Sequence, residues 1–141
     1  MIIPIVLDSS VIIKMLSKDN EELTQQAELL LHHAQDGKIV LYAPELSKYE
    51  VANVILKGKK LNPTKANIVL STFYILPITF ITENTELTQS AYAMAYTNNL
   101  SFYDACFLAV AKQLDATLVT DNMKHQGNIP EIAVTSLMEY K

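Results

Sequence analysis

An α/β fold with a parallel central sheet and helices on both faces is predicted from three features of the chain. Short apolar runs alternate with longer helical segments along the whole sequence. Those runs are continuously apolar, as strands buried on both faces are. Turn residues punctuate the boundaries, with Gly37, Gly58, Pro63 and Asn98-Asn99 falling between periodic segments.

In chain order, residues 2–7 (IIPIVL) read as a buried parallel strand, with Pro4 tolerable near its start. Ser9 or Ser10 then caps a short helix to about Leu16. Residues 20–36 form an amphipathic helix with Leu23, Ala27, Leu30, Leu31 and Ala34 on one side, and Gly37 ends it. Residues 39–42 (IVLY) make the second strand. Pro44 is expected in the first turn of a helix that runs to Lys57, where its missing N–H costs nothing, and Gly58 stops that helix. Pro63 opens a helix to about Tyr74, and ITFI at 78–81 is the third strand. A helix over 84–97 carries Leu87, Ala91, Met94 and Ala95 as its apolar face. Ser101 caps a helix over 102–114, with Phe102, Ala105, Cys106, Ala109, Val110 and Gln113 at helical spacing. TLVT at 117–120 is the fourth strand, followed by a Gly- and Asn-containing loop and a short apolar piece at 132–134.

The chain of 141 residues is expected to be one domain, 1–141, with a core that needs no staples. Half of it is hydrophobic and 18% is charged, which is a globular and not a disordered composition. A single cysteine, Cys106, excludes an internal disulfide and a Cys-based zinc site. The formal net charge of −4 gives no general attraction to nucleic acid, so such binding needs a local basic patch. All eleven basic residues are Lys, so no guanidinium fork serves phosphate recognition. The apolar N-terminus lacks a basic leader and is interrupted by Asp8 and Lys14. No run approaches the roughly 18 apolar residues of a membrane span. A soluble cytoplasmic protein with no membrane contact is expected.

Four acids stand apart from the rest. Asp8 directly follows the first strand and Asp121 directly follows TLVT, so both sit at strand carboxyl ends, where open α/β sheets bind ligands. Glu50 lies in APELSKYEVANVIL, where Leu46, Glu50, Asn53 and Val54 share one face, so a charge is expected on the core-facing stripe. Asp104 opens an apolar helix in SFYDACFLAVA. Each has a plainer role open to it. Asp8 suits a helix N-cap, and Glu50 a boundary position beside a Lys. Asp104 suits the first turn of a helix, through its dipole, and Asp121 an ordinary turn. Asp19, Glu21, Glu22, Glu28, Asp36 and Glu83 are expected to be solvated surface charge.

If the two strand ends and the two helices meet at one edge, four carboxylates converge. Such a cluster raises some carboxyl pKa values unless a cation compensates it. An all-oxygen donor set without His or Cys suits Mg²⁺ or Mn²⁺ better than zinc. An ion of this kind activates water and stabilises charge on a phosphoryl group, which favours phosphodiester hydrolysis.

The spacing of Asp8 in LDSSVIIKML, of EVANVILK beginning at Glu50, and of SFYDACFLAVAKQLDATLVTDN beginning at Ser101 resembles a PIN domain, and more narrowly the VapC-type toxins of prokaryotic toxin–antitoxin pairs. The resemblance covers nearly the whole chain, and segment 101–122 is its most specific part. It implies a three-layer α/β/α sandwich with a central parallel sheet. It also implies a Mg²⁺- or Mn²⁺-dependent endoribonuclease, a cognate antitoxin and a homodimer. The family's acids carry over onto Asp8, Glu50 and Asp104. The fourth falls at Asn122 in the usual spacing, with Asp121 one residue early. Asp121 is preferred as the acid, with Asn122 as a neutral alternative and Thr120 as a supporting hydroxyl. Catalytic and metal-holding roles are thus expected for Asp8, Glu50, Asp104 and Asp121.

Lys57, Lys59, Lys60 and Lys65 cluster around Gly58 and Pro63, where they either contact RNA phosphates or form a solvated helix end. His32 and His33 are adjacent, about 100° apart on a helix, and are read as surface residues. His125 could approach substrate from the loop after Asp121. Cys106 is read as core, and Tyr103 as packing or as a base-stacking ring. The exposed faces of helices 20–36 and 44–57 could form a groove for an amphipathic antitoxin helix. Two other functions share these features: a phosphoacceptor receiver-like signalling domain, and a catalytically weakened PIN-type RNA- or protein-binding module.

Overall fold

A computed structural model describes residues 1–126 and 129–141, with His125 and Gln126 described by their backbone alone. Five parallel strands form one sheet in the order β3-β2-β1-β4-β5. They are β1 (Ile3–Leu7), β2 (Ile39–Pro44), β3 (Ile78–Ile81), β4 (Thr117–Thr120) and β5 (Val134–Ser136). The helices are α1 (Ser9–Leu16), α2 (Thr24–Gln35), α3 (Leu46–Asn53), α4 (Pro63–Ile75), α5 (Thr85–Asn98), α6 (Phe102–Leu114) and α7 (Met123–Gln126). Among the described residues no helix is long and apolar enough to cross a membrane.

Strand side chains alternate between two cores, which makes the expected three layers. Ile5 and Leu7 of β1 join Leu41, Val119 and the apolar sides of α1, α2, α3 and α4. Val6 between them joins Leu118 and the helices α5 and α6 on the other face. Ala105, Phe107, Leu108, Ala109, Val110 and Ala111 are all buried, so α6 is wrapped around most of its circumference. The one-face pattern expected for this helix therefore gives way to near-complete burial, and Phe102 and Gln113 at its ends are exposed.

Four local readings are corrected. Pro44 does not open a helix: it closes β2, paired with Ile81, and α3 begins at Leu46. Without an N–H, Pro44 gives the ladder no further donor, and β2 stops there. The helix does not run uniformly to Lys57 but loosens into a π-helical turn over Val54–Gly58, closed by the Lys59 amide donating to the Val54 carbonyl at 2.9 Å. The apolar piece after β4 yields a fifth strand, Val134–Ser136, paired with Leu118–Thr120. His33 also differs from a plain surface residue, since its Nδ1 shares a 2.6 Å hydrogen bond with the Tyr140 hydroxyl. The Gly- and Asn-containing stretch after β4 lies partly outside the described residues, as does the side chain of His125.

Chain order places the site. From β1 the chain steps outward to β2 and β3 on one side, and later to β4 and β5 on the other. The central strand β1 is therefore the switch point, and its carboxyl end opens into the crevice where such sheets bind ligands.

Candidate active site

Asp8 occupies that carboxyl end. Its amide donates to the Val119 carbonyl at 3.0 Å, extending the β1–β4 ladder by one residue. It also serves as the N-cap of α1, the task expected of Ser9 or Ser10. The carboxylate is 9% exposed and each oxygen is held. Oδ1 accepts from the Ser9 amide at 2.9 Å. Oδ2 accepts from the Ser10 hydroxyl at 3.0 Å and from the Thr120 hydroxyl at 2.7 Å. Thr120 is fully buried, and its Oγ1 in turn accepts from the Asn122 amide at 2.9 Å. A buried carboxylate with three donors is fixed in orientation.

Glu50 reaches the same place from α3. The Ser9 hydroxyl donates to Glu50 Oε1 at 2.8 Å, so one serine touches both acids, by its amide and its hydroxyl. The buried stripe of this helix is Ser47, Val51 and Ile55, whereas Asn53 and Val54 are exposed. Glu50 therefore borders the core instead of lying within it. Its pKa is raised, first by burial and then by the negative charges of Asp8 and Asp104, against the opposing Ser9 hydrogen bond. Asp104 sits in the first turn of α6, where Ser101 caps the helix by accepting from the Asp104 amide at 3.0 Å. Asp8 and Asp104 are thus both near enough to Glu50 for their charges to bear on it.

The fourth is engaged elsewhere. Asp121 Oδ2 lies 3.2 Å from Lys14 Nζ, and its backbone amide donates to Ser10 Oγ at 3.2 Å. Lys14 is only 6% exposed and also reaches Glu21 Oε1 at 3.1 Å and the Glu22 carbonyl at 2.8 Å. Lys59 donates to Glu21 Oε2 at 2.5 Å and to the Asp19 carbonyl. Glu21 is consequently no solvated surface charge. Burial pushes its pKa up, but the Lys59 and Lys14 ammonium groups outweigh that and lower it. Lys57 and Lys60 are exposed. Asn122 enters this geometry through its backbone amide.

Among the described residues, no group of three or more His, Cys, Asp or Glu side chains is already arranged as a metal site. The observation that bears on a cation is the raised Glu50 carboxyl beside two other acids. Beside these acids lies an apolar hollow of about 570 Å³, lined by Leu46, Tyr49, Leu87, Phe102, Tyr103 and Cys106 among others. It lies between α3, α5 and α6. Cys106 faces it half-buried, and burial with the charges of Glu50 and Glu83 pushes its thiol pKa up to about 11. Tyr103 is exposed and packs edge-on to Phe102, with centroids 6.4 Å apart.

Residues that sequence reasoning passed over are Ser9, Ser10, Lys14 and Glu21. The one signal for them was Lys14 itself, a charge set among Val11, Ile12 and Ile13 in an otherwise apolar helix.

Comparison with known proteins agrees with this architecture. The chain is 27% identical to Ribonuclease VapC3 of Pyrobaculum aerophilum over 104 residues, covering 71% of this chain and 76% of that one. It superposes on VapBC2 from Rickettsia felis, solved bound to a DNA fragment from their promoter, with a TM-score of 0.71 at 14% identity. That match covers 95% of this chain and 98% of the other. DNA-bound VapBC from Salmonella typhimurium matches with a TM-score of 0.70 at 16% identity, covering 96% and 99%. The two structural likenesses speak for the fold. The sequence model of the PIN domain matches residues 5–127. With that match over most of its length, the chain belongs to the PIN domain family.

Proposed function

We propose that this protein is a Mg²⁺- or Mn²⁺-dependent endoribonuclease, the toxin of a toxin–antitoxin pair. The observation that carries the reading is Asp8 at the carboxyl end of the central strand sharing Ser9 with Glu50, whose carboxyl is raised first by burial and then by the charges of Asp8 and Asp104. An all-oxygen, negatively charged donor set suits a hard divalent ion. Asp8, Glu50 and Asp104 would hold it. Such an ion supplies Lewis acidity toward water and phosphoryl oxygens.

The chain's own groups supply the rest. Ser9, Ser10 and Thr120 keep Asp8 in one orientation, so no reorganisation is needed when substrate arrives. Glu50, anchored through Oε1 to Ser9, would take a proton from the attacking water at Oε2. Lys57 and Lys60, just beyond the helix that carries Glu50, would meet RNA phosphates. Lys59 is already engaged by Glu21 and is given no such role. The acid expected at Asp121 is bound to Lys14, and a different task is assigned to it below. The similarity to Ribonuclease VapC3 and to VapBC assemblies supports both the ribonuclease activity and an antitoxin partner. Self-association as a homodimer and a cytoplasmic location are part of the same proposal.

The test is cleavage of a defined RNA panel with Mn²⁺. The wild-type protein should cut and leave a 5′-phosphate and a 3′-hydroxyl. Asp8→Asn and Asp104→Asn should lose cleavage and keep the fold. Undiminished cleavage by the purified double variant would contradict the assignment.

A further inference from the structure

We propose that Lys14 is a positioning residue whose buried ammonium docks Asp121 onto α1 and thereby orients the carboxylate of Asp8. The proposal rests on the nuclease reading above for its catalytic consequence only.

Ser10 and Lys14 are four residues apart and share one face of α1. Asp121 docks on both, with its amide on Ser10 Oγ at 3.2 Å and its carboxylate on Lys14 Nζ at 3.2 Å. The same Ser10 hydroxyl donates to Asp8 Oδ2 at 3.0 Å. The residues on either side of Asp121 act on Asp8 as well, since Thr120 donates to Oδ2 and the Asn122 amide donates to Thr120. Lys14 therefore clamps the short segment that supplies the outer hydrogen bonds of Asp8. A second arm runs through Glu21 to Lys59, directly after the π-helical turn that extends the Glu50 helix.

An ammonium that is 6% exposed is costly unless its protons find acceptors. Here it donates to Glu21 Oε1 and to the Glu22 carbonyl, and the carboxylate of Asp121 at 3.2 Å adds a second negative charge beside it. An apolar side chain would fill the same space at less cost, so stability alone does not account for a lysine here. Asp121 thus serves as the counter-charge of Lys14, and the reactive set is Asp8, Glu50 and Asp104.

The experiment compares Lys14→Met, Asp121→Asn and the double variant. Its readouts are kcat and KM on a labelled RNA with Mn²⁺, and the ¹³C shift of the Asp8 side-chain carboxyl without metal. Each single variant should lower kcat by about 10- to 100-fold with KM little changed, as loss of an outer-shell partner does. The double variant should be no slower than the slower single one, because both changes break one clamp. The Asp8 carboxyl signal should move in all three. The proposal is overturned if Asp121→Asn abolishes cleavage while Lys14→Met keeps the wild-type kcat, since Asp121 would then act in the pocket itself. It is also overturned if the Asp8 signal stays in place. Should Lys14→Met not fold, Asp121→Asn decides by the Asp8 signal alone, the Asp121 side chain being 34% exposed and tolerant of change. A wild-type protein that cuts no RNA would remove the nuclease reading, and the metal-free Asp8 signal would still decide the clamp.

Discussion

Helix α1 serves two groups of acids and treats them in opposite ways. At its N-terminus, Asp8 and Glu50 share Ser9 and feel Asp104, with hydroxyls and amides as their partners. Further along, Glu21 and Asp121 share the buried Lys14, and Lys59 completes the charge balance. In the first group the Glu50 pKa is raised, by burial and then by the charges of Asp8 and Asp104. The second is neutralised from within, and the Glu21 pKa is lowered despite burial. The difference teaches where chemistry belongs. Acids paired with a buried ammonium have their charge balanced locally, whereas Asp8 and Glu50 are held by hydroxyl and amide donors, the setting in which a perturbed carboxyl marks a candidate site.

The largest expected effect breaks the first group. Asp8→Asn keeps the shape of the side chain and its cap but removes its charge, and RNA cleavage should fall to background in a gel assay. Breaking the second group should cost stability in addition to the loss of kcat given above. Lys14→Ala should cost about 3 kcal/mol in urea denaturation, the low end for a broken buried pair, because Glu21 and Asp121 are partly open to water. Ser101→Ala removes the cap that holds the first turn of α6, and with it Asp104. It should cost about 1 kcal/mol in the same assay.

The smallest effects sharpen the comparison by their sign. The raised Glu50 pKa means its contribution to stability is present below the ordinary glutamate range and is lost as pH rises through its folded value. Glu50→Gln should therefore melt higher than wild type in EDTA at neutral pH, and the gain should vanish on acidification. Glu21 has the opposite shift, so its contribution is present above the ordinary range and lost as pH falls through the folded value. Glu21→Gln should melt lower at neutral pH, and the two proteins should converge in acid. Melting curves over a pH series check both.

Much of this could be read from the chain because β1, β4 and α6 announce themselves. IPIVL is an unbroken apolar run and TLVT a mostly β-branched one, ending just before Asp8 and Asp121, and Ser101 caps α6 in the structure as in the sequence. What could not be read depends on partners distant in sequence. Lys14 looked like a mere interruption of an apolar helix, because Glu21 offered a local partner and Asp121 arrives only once β4 lies beside β1. Glu21 looked solvated for the same reason. Glu50 was expected on the core stripe because Ser47 breaks the apolar pattern. That serine is buried by donating its hydroxyl to the Pro44 carbonyl at 2.7 Å. The strand β5 is three residues long, too short for alternation or apolar length to mark it.

The most direct measurement is a crystal structure of the wild-type protein soaked with Mn²⁺, read by anomalous scattering. The expected result is an ion on carboxylate oxygens of Asp8 and Asp104, near Glu50, with Asp121 still on Lys14. An ion held by Asp121, with Lys14 displaced, would contradict the division between the two groups of acids. A map with no ion near Asp8 would remove its foundation.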